Sequence, residues 1–222
     1  MGNKAMNKKC FVTGSSGFIG TVLCRCLEAS GWEVVRHSKR HKVSGAIVWN
    51  MGVDKFDGSQ LQGVDTVIHL AGLAHDISNK LNLIDYKVIN TDCTVDLALK
   101  SAQNGITNFI YISSVKAQNV EEDSLGLVTD VYAESKKKSE TQLLSLCDRV
   151  SMRINIVRPA LVYGPGVKGN IQLMRNGIVA GWFPALPAVG NKKSLIHVDD
   201  LSRILAILAS SGLNRSVIIA SE

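Results

Sequence analysis

The sequence predicts an α/β protein built on a doubly wound parallel sheet, and three observations carry that expectation. Short apolar, β-branched runs alternate with longer stretches of helical periodicity, the pattern of a parallel sheet covered on both faces. The first run passes directly into a glycine-rich loop that opens a helix. The chain has 222 residues, 45% hydrophobic and 20% charged, enough for one large domain with a full core.

The elements follow in order. Lys9 to Thr13 is the first strand, and a helix runs from Gly17 to Ser30, with Gly31 as its stop. Glu33 to Arg36 is the second strand and Ala46 to Trp49 a short third. Asp65 to Leu70 is the fourth, bounded by Gly63 and Gly72. Apolar spacing at three and four predicts a long helix over Asp85–Gln103, ending at Gly105. Asn108 to Ile112, a helix over Tyr132–Cys147, and Arg153 to Val157 complete the alternation. After Pro159 the texture changes: Gly164, Pro165, Gly166, Gly169, Pro184 and Pro187 suit a chain leaving the sheet to build a second lobe. A helix near Asp200–Ser210 and a strand near Ser216–Ala220 close the sequence. There is no internal repeat.

The loop after the first strand reads Thr13-Gly-Ser-Ser-Gly-Phe-Ile-Gly20. Gly14 permits the tight turn, Gly17 lets backbone approach a pyrophosphate, and Gly20 allows close helix–strand packing. The helix N-terminus then offers free N–H donors and a partial positive charge to phosphates. Isolated glycines also mark ordinary turns, so the strand–turn–helix context is what points to a Rossmann-type dinucleotide site. The residue ending the second strand commonly selects the dinucleotide. An acid there binds ribose hydroxyls, and a base accommodates a 2′-phosphate. This strand runs Val34-Val35-Arg36-His37-Ser38-Lys39-Arg40 without an acid. Arg36 is the candidate for a 2′-phosphate, with Ser38 or Arg40 assisting; the alternative is a solvated basic loop. NADP is therefore expected over NAD.

Charge and cysteine content narrow the rest. The formal charge of +6 is scattered, densest at Arg36 to Lys42 and Lys136 to Lys138, and suits an anionic ligand. No aromatic-interleaved basic stripe points to nucleic acid. Five cysteines at irregular spacing form neither a disulfide framework nor a metal motif. No apolar stretch is long enough to span a bilayer and the start is not a signal peptide, so a cytoplasmic protein is expected.

Tyr132 and Lys136 are four apart, which places both on one helix face. A tyrosine has a pKa of about 10, so action as a base near neutrality needs about 4 kcal/mol. A cation about 4 Å away at an effective dielectric of about 20 supplies about that much. The strand end Ile112-Ser113-Ser114 lies shortly before, and a serine there can bind the same substrate oxygen.

Together these residues resemble a family. The glycine loop, Val67-Ile-His-Leu-Ala-Gly72, Asn90-Thr91, Tyr111-Ile-Ser-Ser114, Tyr132 with Lys136, and Arg158-Pro159 stand in the order found in extended short-chain dehydrogenase/reductases. That group includes nucleotide-sugar epimerases, dehydratases and 4-ketoreductases. Arg158 to Asn170, followed by Lys193-Ser-Leu-Ile-His-Val-Asp-Asp200, is most similar to a bacterial subgroup acting on UDP-N-acetyl sugars in polysaccharide and O-antigen synthesis.

The resemblance implies that Tyr132 is the general acid/base, that Lys136 tunes it and holds the nicotinamide ribose, and that Ser114 orients the sugar C4 oxygen. It implies cofactor contacts at Gly14, Ser16, Gly17, Phe18, Ile19 and Gly20, at Leu70, Ala71 and Gly72, and at Asn90 and Pro159. Asn170 is implied at the substrate diphosphate, and His197 in an architectural role. Cys93 replaces a usual glycine, a modest packing change. Residues 7–160 are expected to form the dinucleotide-binding domain. Residues 161–222 are expected to be part substrate lobe and part return to the sheet. The family's later C-terminal segment is expected to be absent after Glu222, leaving a shortened lobe.

Reduction of a 4-keto UDP-N-acetyl sugar is the leading expectation. A 4-epimerase with bound NAD is the near alternative, and a non-catalytic dinucleotide-binding module a third. A 4,6-dehydratase fits less well, since Ser114-Val115-Lys116 lacks an Asp-Glu pair. A homodimer through the Asp85–Gln103 and Tyr132–Cys147 helices is the expectation by analogy.

Overall fold

The computed structural model describes residues 8–39, 46–74, 83–118, 120, 130–167, 169–184 and 193–221. Seven strands form one sheet in the order β3-β2-β1-β4-β5-β6-β9. These are β1 Lys9–Thr13, β2 Glu33–Ser38, β3 Ile47–Val48, β4 Thr66–His69, β5 Asn108–Ile112, β6 Arg153–Pro159 and β9 Val217–Ala220. Every registered pair in it is parallel. The order reverses between β1 and β4, so the crevice beyond their C-terminal ends is where such a sheet takes a ligand.

Successive strand residues enter opposite layers, because side chains alternate across a sheet. Phe11, Val67, Phe109, Tyr111, Ile154 and Ile156 pack beneath α3 Cys93–Gln103 and α4 Val131–Leu146. Their neighbours Cys10, Val12, Ile68, Ile110, Ile112 and Val157 face α1 Phe18–Ala29 and α6 Val198–Ser210. With both faces covered, the strands are apolar runs, which explains why they are legible without alternation.

The helix expected from Asp85 begins earlier and is not uniform. α2 Leu83–Tyr86 and α3 flank a π-helical turn, Lys87–Asp92. Such turns concentrate at functional sites, and this one carries the buried Asn90 and Thr91. The second strand also corrects the expectation, running on to Ser38 because His37 and Ser38 pair with Ile47 and Val48. After Pro159 come β7 Leu161–Tyr163, α5 Asn170–Val179 and β8 Leu195–His197, none of them foreseen as regular structure. β7 and β8 form a separate two-stranded sheet, and β9 returns beside β6. Among the described residues no helix is long and apolar enough to cross a membrane.

Candidate active site

Two clefts open at the C-terminal edge of the sheet and share Leu70, Gly72 and Leu73. The first, the glycine-loop cleft, is a cavity of about 290 Å³. Gly14, Ser16 and Gly17 form one wall, His37, Ser38 and Lys39 a second, and Trp49, Asn50 and Met51 a third. Gly14 has φ +66°, a left-handed conformation that favours glycine. At Gly20 a Cβ would stand 2.2 Å from the Gly14 carbonyl oxygen, so helix and loop meet only because no side chain intervenes. Among the described residues no side chain caps the N-terminus of α1, and its first turn holds no acid, which leaves that end suited to a phosphate. The residues present therefore fit a dinucleotide.

A buried network fixes the floor between the clefts. Thr94 donates to the Asn90 carbonyl (2.6 Å) and so accepts from His69 Nε2 (2.9 Å). His69 Nδ1 then accepts from the Thr13 hydroxyl (2.7 Å). The Thr13 oxygen in turn accepts the Leu70 and Ala71 N–H groups at 3.1 and 3.0 Å. This chain of donors requires the neutral Nε2–H tautomer. Burial, helped by the Lys136 charge, pushes the His69 pKa well below its usual value and supports that state. Asn90 adds a clamp: Oδ1 accepts from Leu73 N–H (2.7 Å), and Nδ2 donates to the Leu73 carbonyl (3.1 Å) and to Ser135 Oγ (3.0 Å).

The second, the tyrosine cleft, has a volume of about 410 Å³. Ser113 and Ser114 from the end of β5, Tyr132 and Lys136 from α4, Ile19 from α1 and Pro159 from β6 converge on it. Asp130 caps α4 by accepting the Ala133 N–H (3.0 Å), which places Tyr132 in the first turn. Ser114 Oγ accepts from Lys116 N–H (3.3 Å) and hydrogen-bonds the Tyr132 phenol. Lys136 is 5% exposed; its Nζ donates to the Ile112 carbonyl (2.8 Å) and lies 4.7 Å from the Tyr111 ring centroid. One turn on, Glu140 is buried and receives a bidentate bond from Arg158, Nε to Oε1 at 2.8 Å. Tyr86 sets its ring edge-on to Tyr132, 6.4 Å between centroids, and donates to the Ala74 carbonyl (2.9 Å).

The electrostatics depart from the expectation. Burial raises the Tyr132 pKa, with the Ser114 hydrogen bond acting in the opposite direction. Burial also pushes Lys136 down to about 8, opposed by Glu140. Lys136 Nζ lies 6.0 Å from the Tyr132 ring centroid, and with a pKa of about 8 it remains largely charged near neutrality. Desolvation, absent from the simple pair argument, is the larger effect on both groups.

The structure brings together Gly14, Ser16, Gly17, Leu70, Ala71 and Gly72 in the first cleft, and Ile19, Ser114, Tyr132, Lys136 and Pro159 in the second. Gly20 and Asn90 stand behind these walls, and Phe18 lines neither cleft. Arg36 does not join them either. Its Nη2 pairs with Glu28 of α1 (2.5 Å), because it lies two residues before the true end of β2. Ser38 and Lys39 occupy the wall instead. Arg40 and the side chain of Asn170 lie outside the described residues; Asn170 begins α5. His197 accepts from Asp199 N–H at the start of α6 (3.3 Å) and packs edge-on against Tyr163. Trp49, Asn50, Met51, His37 and Tyr86 were not anticipated. Trp49, directly after β3, was the available signal, but a two-residue strand announces little.

A doubly wound sheet with a glycine loop at its switch point and a Ser–Tyr–Lys group beside it defines a class of dinucleotide-binding folds. Residues 10–220 match the NAD dependent epimerase/dehydratase family, and the chain belongs to it. It is 33% identical over 220 residues to UDP-glucose 4-epimerase of Vibrio cholerae, covering 90% of this chain and 66% of that protein. It is 28% identical over 199 residues to ceramide reductase of Caulobacter vibrioides (strain NA1000 / CB15N), covering 85% and 57%. Among solved structures it is similar to MoeE5 in complex with UDP-glucose and NAD, with TM-score 0.80 and 25% identity over 96% of this chain and 76% of that one. The chain spans less than two thirds of the length of these curated relatives.

Proposed function

We propose that this chain carries the dinucleotide-binding and catalytic part of an oxidoreductase acting at C4 of a UDP-linked sugar. The observation behind this reading is the convergence of Ser114, Tyr132 and Lys136 on one cleft that adjoins the glycine-loop cleft. A nicotinamide dinucleotide, when bound, donates or accepts the hydride at the sugar carbon. The chain handles the proton. In reduction Tyr132 releases its phenolic proton to the C4 oxygen, and in oxidation it takes the hydroxyl proton back. Ser114 hydrogen-bonds the same oxygen and aligns it, while Lys136 stabilises the phenolate. Leu70, Ala71, Gly72 and Pro159 border the dinucleotide, with Asn90 holding the Leu73 turn beside it. Asn170 is assigned to the substrate diphosphate. Residues 7–160 form the dinucleotide-binding unit in this scheme and residues 161–222 the mixed region.

Two forms of the reaction follow from different observations. Among the described residues, the wall assigned to the adenosine ribose holds Ser38 and Lys39 and no carboxylate, which favours NADP and reduction of a 4-keto sugar. Similarity to UDP-glucose 4-epimerase and to an NAD complex favours a 4-epimerase with retained NAD. Titration with NADPH and NADH, followed by nicotinamide fluorescence, separates them when combined with assay of nucleotide released on denaturation. Preference for NADPH with turnover of a 4-keto UDP-sugar supports the reductase. Retained NAD with C4 inversion of a UDP-sugar supports the epimerase. Absence of binding to either dinucleotide overturns both. Homodimerisation through the Asp85–Gln103 and Tyr132–Cys147 helices is testable by sedimentation.

A further inference from the structure

The His37 side chain has been given no role so far beyond lining the cleft, yet it is 3% exposed and bonded through both ring nitrogens. The Gly14 N–H can only donate, so His37 Nδ1, 3.1 Å away, accepts from it. The Trp49 carbonyl can only accept, so His37 Nε2, 2.9 Å away, donates to it. A single species satisfies both partners, the neutral imidazole protonated on Nε2. The backbone carbonyl of His37 also accepts from the Ser15 hydroxyl. The ring packs edge-on against Phe11 and Trp49, with centroids 6.3 and 5.8 Å away. Burial lowers its pKa, in keeping with a ring held uncharged.

These bonds join all three walls of the glycine-loop cleft. Gly14 sits in the left-handed turn of the loop, His37 precedes the Ser38–Lys39 wall, and Trp49 begins the third. We infer that His37 is a positioning residue for dinucleotide binding, holding the glycine loop against the ends of β2 and β3 so that the adenosine end of the cleft is formed before a ligand arrives. The inference rests on the dinucleotide reading above and adds which residue shapes that subsite. The Gly14 bond is the decisive one, since without its acceptor the part-buried N–H of the phosphate-facing turn loses the bond that fixes the turn's orientation.

Two substitutions separate the ring's two bonds. In His37→Asn an amide oxygen can stand near the Nδ1 position and accept from Gly14, while the Trp49 bond is lost. In His37→Gln an amide nitrogen reaches toward the Nε2 position and serves Trp49, while Gly14 loses its acceptor. Dinucleotide titration should show His37→Gln binding about tenfold or more weaker than His37→Asn, with similar thermal melts. Equal affinities in the two variants, or the reverse order, overturn the inference. If the parent chain binds no dinucleotide, the functional reading falls and the inference with it. Long-range nitrogen NMR on the parent chain is independent of variant folding. It should report a neutral Nε2–H tautomer whose ring signals shift when NADH or NADPH binds. An Nδ1–H tautomer, or a ring unmoved by a bound dinucleotide, is equally fatal.

Discussion

The glycine-loop cleft and the tyrosine cleft share Leu70, Gly72 and Leu73 but are built from different materials. Around the first, order comes from backbone and neutral hydrogen bonds: a positive-φ glycine, the Thr13–His69–Thr94 chain and the His37 ring. Around the second, charge has been taken out of water: Lys136 at 5% exposure, Glu140 at 2%, and Arg158 paired to Glu140. The two clefts divide the labour between them. Shape that must fit a fixed anionic ligand is set cheaply by backbone, whereas proton transfer requires groups whose charge state is easily moved. It also shows why cofactor binding and turnover should respond separately to mutation.

The largest expected effect is on the tyrosine cleft. Tyr132→Phe should lower turnover by about 10²- to 10⁴-fold, the usual scale of a general acid. Dinucleotide affinity should stay within about threefold. Loss of both together would mean the clefts are not separable.

Next in size is the buried ion pair. Arg158→Met leaves Glu140 buried without its bidentate partner, and breaking such a pair costs about 3–5 kcal/mol. Thermal unfolding should move down by roughly 10 °C, at roughly 2–4 °C per kcal/mol for a chain of this size. An unchanged melting temperature would show that Glu140 reaches other donors.

Lys136→Met should act in the opposite direction. The lysine pKa falls from 10.5 to about 8 on folding, so the folded state disfavours its charge. The cost is fully present below pH 8. It is relieved as pH rises toward 10.5, where the folded lysine is neutral and the unfolded one still charged. After the lost bond to the Ile112 carbonyl is subtracted, Met should stabilise the chain by about 1–2 kcal/mol at pH 7. The advantage should fade by about pH 10, and melting curves at both pH values check this. Turnover should be lost regardless.

The smallest effect is expected at the far wall of the glycine-loop cleft. Lys39→Ala should reduce preference for NADPH over NADH by about fivefold, as befits one exposed charge. Arg36→Ala should leave that ratio unchanged, because its guanidinium is held by Glu28. Competition titrations distinguish the two, and the reverse result would return the specificity role to Arg36.

The sheet was largely legible because its strands are buried on both faces and its helices carry an apolar stripe. β1 and β5 agree with their expected limits, since Lys9–Thr13 and Asn108–Ile112 are bounded by abrupt polarity changes. The end of β2 was not legible. Whether a chain stops at Arg36 or continues to Ser38 depends on Ile47 and Val48 arriving beside it, which local propensity does not record. The lobe after Pro159 was opaque for a related reason: β7 and β8 are three-residue strands that exist through their mutual pairing.

The parallel sheet, the glycine turn and the placing of Tyr132 and Lys136 on one helical face are thus local properties of the chain. Each of these is written in residues a few positions apart, where sterics and periodicity act. That Arg36 turns to Glu28, that His37 joins three walls of a cleft, and that burial raises the Tyr132 pKa emerge only in the folded chain. Those outcomes depend on hydrogen bonds across tens of residues and on how much water each group retains, and burial is a property of the assembled chain.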